Sequence, residues 1–172
     1  PDGLDAIARR LVALRAGLAE ALTALDLAPE PGPGFDTLTV VTPRAAALVE
    51  RAEAAGFNLH GDESGFGISL DELSTLQELV QLLTALADDP TAAAAAVGRF
   101  TAEVQGGGGD DPLMGLPLRQ QAWLSQAVFH RYRSETELLR YIQHLASQDL
   151  SLVHGMIPLG SCTMKLNATS EM

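Results

Sequence analysis

Cysteine occurs once in this 172-residue chain, at Cys162, lysine once, at Lys165, and tryptophan once, at Trp123. A lone cysteine closes no internal disulfide, and no Cys/His spacing here has a metal-ligand pattern. A reducing cytoplasm is therefore the expected setting. Basic residues are scarce, 11 against 22 acidic ones, for a net charge of −11. That argues against nucleic-acid binding, which needs a basic face to displace counterions from phosphates. No apolar run approaches the ~20 residues that span a bilayer, so no membrane segment is expected. The opening "PDGLDAIARR" has neither an initiator Met nor a basic start followed by an apolar core. It reads as a chain entered partway through, without a signal peptide. Asn167-Ala168-Thr169 matches a glycosylation acceptor, which carries little weight without a secretory leader.

What remains is a 47% apolar composition, ordinary for a globular protein and too high for a disordered one. Leu4, Ile7, Leu11, Leu14, Leu18, Leu22 and Leu25 recur at helical spacing behind the candidate cap Asp2, and "APEPGPG" ends that helix. "FDTLTVV" predicts a strand at about 35–41. Thr42-Pro43 predicts a helix start, and Gly56 its stop. "FNLHGDESGFGISL" predicts two strands, at about 57–60 and 66–70, joined by "GDESG". Ser74 to Gln77 predicts a capping box opening the next helix. The order is that of an α+β fold, a small antiparallel sheet covered by helices, with the compact unit ending near Asp89. "PTAAAAAVGRFTAEV" is helix-forming, and "QGGGGDDPLMGLP" reads as a flexible linker rather than a phosphate loop, since no Gly-Lys-Ser/Thr follows. Ser134 and Glu137 predict a second capping box, on a helix that buries Leu138, Leu139, Ile142 and Leu145.

The polar residues gather at the end of the chain, in "HGMIPLGSCTMKLN", where Pro158 and Gly160 exclude a continuous helix. Lys165 would form a Schiff base only if burial or a nearby cation lowered its pKa, and a solvated or anion-paired lysine is the simpler reading. Cys162 would be a nucleophile only with a base, and His154 is eight positions away with nothing to orient it. A buried small cysteine is the better expectation. Ser161, Thr163 and Asn167 suit anion or cofactor contacts and equally suit turns. His60, His130 and His144 read as structural or exposed, Glu137 as a cap rather than the partner of Glu135 in acid–base work, and "FHRYRSE" as packing plus ion pairs. From these residues alone, no reaction follows.

The run from Val128 to Met172, with "SETELLRY", "DLSLVH" and "MIPLGSCTMKLNATSEM", closely resembles the glycine cleavage system P-protein family, the pyridoxal-phosphate-dependent glycine dehydrogenases (decarboxylating). "FDTLTV", "RAEAAGFNLH" and "GFGISLDE" resemble the small domain that closes the N-terminal half of the same family. Gly155 departs from the more usual Ser in that family's "HSMIP". The resemblance implies two homologous halves, each like a fold-type-I pyridoxal-phosphate enzyme, with the cofactor in the second. Residues 1–89 would be the small α+β domain ending the first half, 90–127 a helix and Gly-rich linker, and 128–172 the start of the second half. The family's PLGSCTMK loop falls on Pro158 to Lys165, with Ser161, Cys162 and Thr163 as candidate pocket-lining residues and His154 supporting them. The cofactor lysine would lie in a later His-Lys motif that this sequence does not contain, so no catalytic residue is expected in the chain. The implied reaction is decarboxylation of glycine and transfer of its aminomethyl group to the lipoyl arm of the H-protein. Implied partners are the H-protein, the other glycine cleavage components and a second copy in a full-length homodimer. A rival reading takes the β-α-β-β-α order of residues 35–87 as a non-catalytic amino-acid-sensing module, which would not need residues 128–172.

Overall fold

The structure, a computed structural model, describes residues 2–32, 34–106 and 119–149. It divides into two compact units, Asp2–Gln120 and the residues from Gln121 onward. The first unit runs α1 (Asp2–Ala24), β1 (Thr37–Val41), α2 (Ala45–Ala54), β2 (His60–Gly61), β3 (Gly65–Ser69), α3 (Leu76–Leu86) and α4 (Pro90–Gly106). The strands form one antiparallel sheet in the order β1-β3-β2, with Leu38 opposite Ile68 and Val40 opposite Phe66. Those four side chains are buried, whereas Thr37, Thr39 and Val41 on the alternate face are exposed. This is the period of two expected when one face of a sheet meets a helical layer. The helical side is Leu11, Leu14, Leu18 and Leu22 of α1, Leu48 and Ala52 of α2, Leu79, Leu82, Leu83 and Leu86 of α3, and Phe100 of α4. The α+β fold, a small antiparallel sheet covered by helices, is the one expected.

Two helices end in the same way. After α2, Gly56 turns left-handed (φ 91°), its N–H reaches the Glu53 carbonyl at 2.9 Å, and the Phe57 N–H reaches that of Ala52 at 2.9 Å. After α1, Asp26 takes that role (φ 58°), donating to Thr23 at 3.2 Å, while Leu27 donates to Leu22 at 2.9 Å. Both pairs of bonds satisfy carbonyls that a helix end leaves open, and both bring the next apolar residue back to the core. The first helix thus stops before the Pro/Gly run credited with ending it. The sheet edge at β1 is also closed: Glu30 N–H donates to the Thr39 carbonyl at 2.8 Å, and Arg15 Nε to that of Thr37 at 3.0 Å. Occupied carbonyls of this kind discourage edge-to-edge pairing.

Several expectations shift. Leu4 and Ile7 continue the α1 stripe but are exposed, because the core begins only at Leu11. Phe35 lies outside β1 and is exposed, and the strand expected at 57–60 shrinks to His60–Gly61. Thr42 accepts from the Arg44 N–H at 3.3 Å, but α2 itself starts at Ala45, after the Pro43 turn. The capping box of α3 is Thr75/Glu78, one residue beyond the expected Ser74/Gln77. Ser74 is taken by Asp71, whose Oδ1 accepts from both its N–H and its hydroxyl. α4 starts at Pro90 behind the Asp89 carboxylate, which accepts from Thr91 and Ala92 N–H at 2.7 and 2.9 Å. It packs on α1 so closely that a Cβ on Gly17 would come within 2.8 Å of Val104 Cγ2 and 3.2 Å of the Phe100 carbonyl. The Gly-rich linker falls mainly outside the described residues.

The second unit contains α5 (Val128–Arg131) and α6 (Glu135–Ala146). Ser134 caps α6, accepting from the Glu137 N–H at 3.3 Å and donating to its carboxylate at 3.0 Å. The apolar stripe is present, yet the expected burial is not: Leu138, Ile142 and Leu145 are 45%, 41% and 50% exposed, and no residue of α6 is buried.

Candidate functional site

The candidate pocket residues His154, Ser161, Cys162 and Thr163, together with Gly155, Lys165 and Asn167, lie outside the described residues, as does the whole PLGSCTMK loop. The structure describes residues that precede them in the sequence. The Tyr132 and Tyr141 rings stack at 4.1 Å and 11°, with the Arg131 guanidinium 5.6 Å from the Tyr132 centroid. His130 Nε2 lies 2.9 Å from the Leu124 carbonyl, and its Nδ1 lies 3.5 Å from Arg133. These contacts make "FHRYRSE" a packing and capping segment, and they leave His130 on the surface beside a backbone acceptor. His60 and His144 are also exposed, as expected.

In the first unit, a groove of about 390 Å³ runs past Phe57, His60, Ser69, Asp71, Ser74 and Glu78. Its carboxylates are already engaged. Asp71 accepts from the Leu73 and Ser74 N–H groups at 3.0 and 2.8 Å and from the Ser74 hydroxyl at 2.9 Å. The hydroxyl bond foremost, and then the amides, hold Asp71 below the usual carboxylate range. Glu78 accepts from the Thr75 hydroxyl at 2.7 Å and its N–H at 2.8 Å, and the hydroxyl foremost holds it low as well. Both are ionised hydrogen-bond acceptors at neutral pH, the wrong state for a general acid.

Asp88 forms a further cluster that sequence reading did not find. Arg44 and Arg51 reach it at 2.7 and 3.0 Å and lower its pKa, the Arg44 hydrogen bond first. Arg51 also donates to the carbonyls of Ala85, Leu86 and Ala87 at the end of α3. The cluster ties α2 to α3 and carries no chemistry of its own. Among the described residues, no group of three metal-ligating side chains is present. They also include no lysine. A Schiff-base cofactor such as pyridoxal phosphate requires a lysine amine, so the described residues do not fit its covalent attachment.

Comparison with known sequences supplies what this geometry does not. No family model matches the chain. It is 50% identical over 180 residues to the "Glycine dehydrogenase (decarboxylating)" of Synechococcus sp. (strain CC9902), an alignment that takes in the whole chain and 18% of that relative. The same-named protein of Prochlorococcus marinus (strain MIT 9303) is 53% identical over 182 residues, again across the whole chain and 18% of the relative. That of Rhodopseudomonas palustris (strain ATCC BAA-98 / CGA009) is 47% identical over 176 residues, across the whole chain and 17% of the relative. The chain matches a segment of glycine dehydrogenase (decarboxylating), the P-protein. By family name the enzyme is an oxidoreductase, and the chain spans less than a fifth of the length of these glycine dehydrogenases. No helix among the described residues is long and apolar enough to cross a membrane.

Proposed function

We propose that this chain is the part of glycine dehydrogenase that ends one half of the enzyme and opens the other. Residues 1–89 form the small domain closing the N-terminal half, with α4 of the 90–127 connector packed into its core, and 128–172 begin the C-terminal half. The match along the whole chain to glycine dehydrogenases carries this reading. The complete enzyme decarboxylates glycine with pyridoxal phosphate and passes the aminomethyl group to the lipoyl arm of the H-protein, acting as a homodimer with the other glycine cleavage components in the cytoplasm. The cofactor supplies a sink for the electron pair left when carbon dioxide departs. In that enzyme Ser161, Cys162 and Thr163 line the pocket, and His154 supports their loop. The cofactor lysine lies elsewhere, and Lys165 is not it.

The 172-residue chain alone is therefore inactive. With the full-length enzyme as control, cofactor absorbance after dialysis and carbon dioxide release from carboxyl-labelled glycine in the presence of H-protein test the assignment. The full-length enzyme retains the absorbance and releases label, and the isolated chain does neither. A borohydride-trapped cofactor adduct on Lys165 would overturn it.

A further inference from the structure

We draw no further inference here: the strongest candidate, the apolar groove between α3 and α4 lined by Leu76, Val80, Phe100 and Val104, is an unpartnered face, and nothing in the structure shows what covers it.

Discussion

α3 and α6 are near twins by sequence. They have 11 and 12 residues, and each begins with a hydroxyl cap and a glutamate three residues on. Their apolar positions recur at helical spacing. Yet α3 buries Leu79, Leu82, Leu83 and Leu86, while α6 buries nothing. Local sequence specifies that a helix forms, where it starts and which face is apolar. It does not specify whether anything lies against that face. For α3 the sheet residues Phe66 and Ile68 and the helices α1, α2 and α4 supply the cover within the same unit. Within the second unit, Leu139 of α6 is half-buried and Tyr141 of α6 stacks on Tyr132.

The largest effects should fall on the covered side. Phe100 is 1% exposed, and it joins α4 to the core that α3 shares. Phe100→Ala removes a buried ring and leaves a cavity, so it should cost about 3–5 kcal/mol in denaturant unfolding of the chain. A cost under about 1 kcal/mol would mean that α4 is not part of that core. Gly17→Val tests the same contact from the other side. Its side chain meets Val104 and the Phe100 carbonyl, and backbone does not yield as a side-chain tip does. The expected loss is about 1–3 kcal/mol by overpacking.

The α3 cap comes next. Thr75→Ala should cost about 1 kcal/mol, read from the same unfolding curves. Acid sharpens the point. Asp62, Asp71, Glu78 and Asp88 are held below the usual carboxylate range when folded, each chiefly by a side-chain hydrogen bond. The unfolded chain then binds more protons on acidification than the folded one. Their contribution is complete above the unfolded carboxylate range, near pH 4, and is lost as pH falls through the lower folded values. The melting temperature of the first unit should therefore fall below about pH 4, and Asp71→Asn with Glu78→Gln should flatten that fall. An unchanged slope in the double variant would place the acid sensitivity elsewhere.

These residues also show how far the sequence could be read. The inward face of the sheet was legible because Leu38 and Val40 alternate with threonines. The stop after α2 was legible because Gly56 is the cheapest residue for a left-handed turn. The stop after α1 was not, because Asp26 adopts the same conformation without being glycine. Ser74 and Thr75 are both good caps, and the choice between them turns on Asp71, whose carboxylate captures Ser74 first. Asp88 holds Arg44 and Arg51 from 44 and 37 residues away, a relation that no local pattern reports. The candidate site was legible only as a family resemblance in 128–172. A run such as GSCTMK supplies hydroxyls, a thiol and an amine without the partners that would give any of them a role. The whole-chain match to glycine dehydrogenases supports that resemblance at the level of the family, and leaves the individual roles to the tests above.

The smallest expected effect is the most informative about α6. Ile142→Ala removes three methyl-sized groups from a side chain that is 41% exposed and that packs into no core. Partial exposure means a large part of its transfer free energy is not gained on folding, and Ala has the higher helix propensity. In the isolated chain the change should therefore lie within about 0.5 kcal/mol of zero, against about 2–5 kcal/mol for Leu83→Ala in α3. The pair is measured by unfolding followed at Tyr132 and Tyr141 for α6 and by far-ultraviolet circular dichroism for the first unit. A cost of 2 kcal/mol or more for Ile142→Ala would show α6 to be covered within these 172 residues, and the contrast between the two helices would disappear.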